Sequence, residues 1–254
     1  MLAVFMVALL VQQASADAPV VFDASRVVVG EPKTIAEIDT RTVKGELVCL
    51  AWSDDGATIY LRAAEYDRWH NERAHHYFIP VAGGAIAATD GTPQWAAAYW
   101  MWKSGVAAPG VPEMRMETDT QTQMVTAVGS VRDGGMSQSR GDPSQSQVSR
   151  DYASAQQVAT VTIKLKGVVI AESANKSIPA GLLWGWAPAP VGGLAFVDGK
   201  KRLVLIDRAG RTFVVPGTGE VLLPAWSPDG RRIAYVQRKD KKTFVLNCVE
   251  AEIR

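Results

Sequence analysis

At 254 residues, with 47% hydrophobic and 21% charged content, the chain is long enough for one large domain or two small ones and can bury a sizeable core. Lys plus Arg number 27 against 26 Asp plus Glu, a net charge of +1, so no global field is predicted that would steer the protein to nucleic acid or to an anionic membrane surface. Recognition by overall charge is thereby excluded; local patches are not.

The first sixteen residues, MLAVFMVALLVQQASA, hold an apolar run from Leu2 to Val11, then Gln12-Gln13 and the small-residue pattern Ala14-Ser15-Ala16. This predicts a secretory signal over residues 1–16, cleaved before Asp17, although no Lys or Arg precedes the apolar run. The run is too short for a typical transmembrane helix and no later stretch comes close, so the expectation is an exported chain, periplasmic or extracellular, without a transmembrane segment. Only Cys49 and Cys248 are present. In an exported protein they could pair as a disulfide; the alternative is two small buried hydrophobes in adjacent strands.

Val20 to Phe22 and Arg26 to Val29 read as extended segments, and Ile35 to Lys44 carries a further short strand. Glu46 to Leu61, ELVCLAWSDDGATIYL, is the first of a series. Its Trp52, Ser53, Asp55, Gly56 and Ile59 align with Trp226, Ser227, Asp229, Gly230 and Ile233 of Leu222 to Tyr235, LLPAWSPDGRRIAY. In both, a strand ends at Trp, a tight turn uses Asp to bond backbone amides and Gly to take φ > 0, and a second strand follows. Asp229 is thus expected to fix a turn rather than act as an acid. A third copy runs from Trp184 to Val197, keeping Trp186 and Pro188 and losing the Asp. A fourth candidate, Pro93-Gln94-Trp95 with Tyr99, Trp100 and Trp102 behind it, keeps the Pro-x-Trp opening, and its aromatics are expected between packed sheets. The anchors Trp52, Trp95, Trp186 and Trp226 are spaced by about 43, 91 and 40 residues, the middle gap being two periods of about 40 to 45, which is what a four-stranded propeller blade needs.

Between the first and third copies the sequence changes character. Residues 134–157 are rich in Ser, Gln, Gly and Asp and predict a polar flexible insertion. Val158 to Lys166 alternates as a strand, Val168 to Ala171 is a second, and Arg202 to Asp207 pairs with Thr212 to Val215 as a hairpin. No stretch has sustained helical periodicity, and only Glu65 to Ala74 allows a helical turn.

The segment Ala225 to Tyr235 resembles the WD-like repeat of TolB-type β-propellers, in which a Trp-Ser-Pro-Asp-Gly core joins the innermost strand to the next. The resemblance implies an all-β fold: a propeller of five to six four-stranded blades, irregular in the middle, in one domain over residues 17–254. The chain stops soon after the third strand of the last unit, and Val20 to Val29 can supply the missing outer strand, removing an exposed edge. That places Cys49 and Cys248 in neighbouring blades.

Three readings of function follow. The resemblance implies a non-enzymatic scaffold that binds a protein or peptide partner, without cofactor and without nucleic acid. The alternative, a secreted hydrolase or a sugar- or metal-binding propeller, rests on the protein's three histidines, His70, His75 and His76, which with Asp67 and Glu72 supply ligand types suited to a divalent metal at a spacing that matches no metal motif. A purely structural role is the third. There is no Gly-rich phosphate loop, no G-x-S-x-G nucleophile and no pair of carboxylates that periodicity would bring together.

Overall fold

The structure is a computed structural model that describes residues 21–131, 150–174, 178–179, 181–189 and 191–253. The expected signal segment 1–16 and residues 134–149 of the expected insertion lie outside the described residues. Sixteen strands and one helix follow in chain order: β1 (Val27–Val29), β2 (Lys33–Asp39), β3 (Glu46–Trp52), β4 (Thr58–Tyr66), β5 (Glu72–Pro80), β6 (Ala87–Thr89), α1 (Gln94–Ser104), β7 (Glu117–Val131), β8 (Arg150–Leu165), β9 (Val168–Ala174), β10 (Trp184–Trp186), β11 (Leu194–Val197), β12 (Leu203–Ile206), β13 (Thr212–Val214), β14 (Val221–Trp226), β15 (Arg232–Arg238) and β16 (Thr243–Ile253).

The strands form four antiparallel sheets: β3-β4-β5-β6, β7-β8-β9, β10-β11-β12-β13, and β14-β15-β16 completed by β1 and β2. The architecture is all-β with four-stranded antiparallel sheets; the described residues hold four sheets where five to six blades were expected. In the last sheet β16 serves both N-terminal strands along one edge, pairing Thr243 to Cys248 with β2 and Ala251 to Ile253 with β1. The missing outer strand of the C-terminal unit therefore comes from the N-terminus, and it does so twice.

Packing explains why no sheet is self-sufficient. One apolar cluster joins Leu50, Trp52, Ile59 and Leu61 of the β3–β6 sheet to Ala225, Ala234, Val236 and Leu246 of the last sheet. The opposite face of that sheet, with Trp226, Ile233, Tyr235 and Val249, meets Ala195, Val197, Leu203 and Leu205. The far side of the β10–β13 sheet, with Trp186, Leu194, Phe196 and Ile206, meets Ile163, Leu165 and Ile170. Alternation along each strand thus feeds two interfaces, and a sheet buries its apolar faces only by stacking on neighbours. Trp52, Trp226 and Trp186 occupy three successive interfaces, each fully buried.

Three expectations are corrected here. The fourth repeat candidate is a helix: Pro93 caps α1, and Ala96, Tyr99, Trp100 and Lys103 share the inward face at i, i+3, i+4 and i+7. Glu65 to Ala74, where a helical turn was allowed, is instead the β4–β5 hairpin, its two strands in unbroken register from Thr58↔Pro80 to Tyr66↔Glu72. The strand β8 begins at Arg150, so residues 150–157 of the expected insertion are paired strand, Arg150 opposite Val131. Beyond the Thr160↔Ala174 pair, where β9 ends, β7 and β8 continue as a ribbon with no third strand among the described residues.

Candidate functional site

The first strands of three sheets lie side by side, β14 touching both β3 and β10, and α1 packs against β3 and β10. Tertiary packing places a helix where the aromatic-rich segment was expected to supply a strand. Ala-Ala-Ala-Tyr-Trp-Met-Trp-Lys is made of residues that tolerate a helix, and Trp95, Tyr99 and Trp102 at i, i+4 and i+7 were the available signal. Trp95 lies against Phe78 with centroids 6.1 Å apart and meets Tyr60 edge-on at 6.2 Å. The outer face of the β3–β6 sheet is covered in this way.

At the inner end of α1, Lys103 is fully buried. Its Nζ donates to the Pro224 carbonyl of β14 at 2.9 Å and approaches the Leu50 carbonyl of β3 at 3.5 Å, with the ammonium 5.0 Å from the Trp100 ring. Burial pulls its pKa down to about 7, against an opposing pull from nearby Cys49. The Tyr99 hydroxyl donates to the Trp226 carbonyl at 2.5 Å, and the Trp186 indole donates to the Gly105 carbonyl at 2.7 Å. Helix α1 is therefore tied by polar side chains to β14 and, through its C-terminal flank, to β10.

The acceptor is set by backbone conformation. Leu223 has φ of 57° and sits in a bulge of β14 between Leu222 and Ala225, its amide bonded to the Leu182 carbonyl. A bulge re-aims the strand locally. Gly185 of β10 approaches so closely that a Cβ there would lie 2.5 Å from the Pro224 oxygen. Lys103 is out of reach of solvent, and Cys49, pushed up to about 11 by burial, stays a thiol. The cluster holds three elements together; it presents no accessible nucleophile.

The repeat residues build turns. Ser53 Oγ donates to Asp55 at 2.6 Å, the Ala57 amide to Asp55 at 2.9 Å and the Thr58 amide to Ser53 Oγ at 2.9 Å. In the last unit Ser227 Oγ donates to Asp229, the Arg231 amide to Asp229 at 3.0 Å and the Arg232 amide to Ser227 Oγ at 2.9 Å. Gly56 and Gly230 close these turns at φ of 65° and 68°. Burial raises the pKa of Asp229, but hydrogen bonds from Ser227 and the Arg231 amide outweigh it and hold the carboxyl below its usual range. The Trp52 indole donates to the Ala225 carbonyl at 2.9 Å, and the Arg232 guanidinium lies 4.9 Å from the Trp52 ring while bonding the Gly56 carbonyl at 3.3 Å.

The five residues named for a metal do not converge. His75 and His76 are successive on β5 and point to opposite faces of the sheet: His75 Nε2 meets Glu65 at 2.9 Å, and His76 Nδ1 meets the Tyr60 hydroxyl at 2.7 Å. Asp67 accepts from the Trp69 and Asn71 amides and the Asn71 side chain, closing the hairpin that leaves His70 at φ of 62°. Glu72 pairs with Arg62. Among the described residues no group of three His, Cys, Asp or Glu is placed to hold a metal ion. Nor do the cysteines pair: both are free, buried thiols, Cys49 under α1 and Cys248 between the first and last sheets.

Asp207 was not singled out from the sequence. Its buried carboxylate accepts from the Ala24, Ala209 and Arg211 amides and from Arg211 Nε, at 2.8 to 3.0 Å, joining the β12–β13 turn to the N-terminal segment. Among the described residues no helix is long and apolar enough to cross a membrane. No family model matches this sequence, and no curated protein matches it.

Proposed function

We infer that the protein is an exported, TolB-like propeller scaffold that binds a protein or peptide partner and performs no chemistry of its own. One observation carries the binding role: the β7–β8 ribbon continues past the end of β9 with no further strand on either side among the described residues. A two-stranded ribbon is marginal alone in water, and open strand edges are a template for added strands. From Glu117 to Thr122 every side chain of β7 is exposed. The Trp turns at successive sheet interfaces support the propeller reading, since repeated units of this size bury their cores by stacking. The N-terminal apolar run followed by Ala14-Ser15-Ala16 supports export.

The test is affinity capture from envelope extracts with tagged protein, run beside a variant in which the ribbon is cut back to the Thr122↔Ala159 pair and closed by Asn-Gly. A partner retained by the full ribbon and lost by the shortened one is the expected result. Recovery of no partner at any salt concentration, or equal recovery by both, counts against the reading.

A further inference from the structure

We propose that one end of the molecule docks on an anionic lipid surface through exposed cations on three hairpin tips. In three sheets the pair following the Trp turn is equivalent, Trp52↔Ile59, Trp186↔Leu194 and Trp226↔Ile233. The hairpins at the other end of those strands, β4–β5, β11–β12 and β15–β16, therefore share one end of the stack. Their tips carry Arg68 and Trp69, Lys200 and Lys201, and Lys241 and Lys242, all exposed. Backbone bonds join the second and third of these tips to the neighbouring loops: the Val221 amide to the Lys201 carbonyl, the Arg238 amide to the Glu220 carbonyl, and the Thr40 amide to the Lys242 carbonyl. Residues more than a hundred positions apart thus form one surface.

The aspartates at this end are drawn into the turns. Asp67, Asp198 and Asp240 each accept two or more backbone amides at the base of a tip, while Arg68, Lys200 and Lys241 form no ion pair among the described residues. Lys201, Arg202 and Lys239 at this end are matched by Glu220, Asp198 and Glu37, as at the opposite end Arg211 is by Asp207 and Asp23 and Arg232 by Asp229. Four cations, Arg68, Lys200, Lys241 and Lys242, are thereby exposed at one end without an ion pair among the described residues, in a chain of near-zero net charge.

Trp69 selects lipid as the occupant. It is 71% exposed at the apex of a turn fixed by Asp67, with the Arg68 guanidinium 5.0 Å from its ring. An amphipathic indole beside a cation is suited to the headgroup region of a bilayer. Separated tips whose only large exposed apolar groups are Tyr66 and Trp69 offer no floor on which a folded partner could bury a core, whereas headgroups form a continuous anionic plane that all three tips can reach.

Co-sedimentation of the full chain with phosphatidylcholine vesicles, with and without phosphatidylglycerol, tests this. The expected result is binding to the anionic vesicles that falls with added salt, and a loss of at least about tenfold in the Arg68→Glu/Lys200→Glu/Lys241→Glu variant. Arg231→Glu, at the opposite end, should bind as the wild type does. The apolar residues Leu2 to Val11 are present in every arm, and their binding would not distinguish the two vesicle types. Equal sedimentation with neutral vesicles, none with anionic ones, or a triple variant that melts and binds as wild type overturns the proposal. Binding to soluble heparin without binding to vesicles also overturns it, assigning this end to a soluble polyanion instead.

Discussion

Lys103 Nζ stands 2.9 Å from the carbonyl oxygen of Pro224, donating from the last turn of α1 to the bulge of β14. A residue from the middle of the chain thus holds a strand near its end, fully buried and with no carboxylate paired to it among the described residues.

This contact makes stability depend on pH in a defined direction. The folded-state pKa of Lys103 is about 7, below its value of 10.5 in the unfolded chain, so between those values the unfolded state holds the extra proton. Stability therefore rises as pH increases above about 7, by up to about 1.4 kcal/mol per pH unit, while below 7 the cost of burying the charge is present in full. Urea denaturation from pH 6 to 8.5 should show wild type gaining on Lys103→Met across this window. In the folded protein the two cysteines stay protonated over this range, and because both proteins carry them their unfolded-state titration cancels from the difference. A difference between the two proteins that stays flat with pH would refute the assignment.

Gly185→Ala tests the approach of β10 to β14. The added Cβ meets backbone, not a flexible side chain, so the strands must separate and the Pro224 acceptor must move with them. The expected loss is about 2 kcal/mol or more, read as a lower urea midpoint. At Gly199, where a Cβ meets nothing, the same change should leave the midpoint nearly unmoved apart from backbone effects.

Two aspartates in turns should respond differently to truncation. Asp229→Ala removes the acceptor of a half-exposed turn and should cost about 1 kcal/mol. Asp207→Ala strands buried donors from two segments and should cost about 3 kcal/mol, with the N-terminal strands becoming protease-sensitive first. Limited proteolysis followed by mass analysis of the fragments checks the order.

Trp226 meets Phe22 edge-on at 5.8 Å, and both are buried between sheets. Trp226→Ala and Phe22→Ala should each cost about 3 to 5 kcal/mol in chemical denaturation, and the double variant less than the sum, because they share one cavity. Full additivity would place the two side chains in separate packing units.

What could be read along the sequence was local. The Trp-Ser-x-Asp-Gly turns were legible because the Ser and Asp side-chain hydrogen bonds that close them span five residues or fewer, so residue type at fixed offset dictates the conformation. The alternation from Val158 to Lys166 and the hairpin around Gly210 were legible for the same reason. Helix α1 was missed because its aromatics resemble those of the Trp repeats, and only the sheets it covers distinguish a helical stripe from a strand. A parity rule keeps two of the candidate metal ligands apart: His75 and His76 are adjacent in sequence and therefore opposite in a strand. Lys103 looked like one lysine among many until three elements closed around it.

The sequence by itself determined the β character of the chain, the turn chemistry and the residues that would be buried at sheet interfaces, since these follow from steric preference and period. Tertiary structure alone decided that β2, beyond the Val20 to Val29 segment expected to close the last sheet, would take most of the β16 edge, that a lysine would be buried against two distant carbonyls, and that three hairpin tips would share one end. Those outcomes depend on which apolar faces stack on which, and stacking joins residues whose separation along the chain carries no local signal.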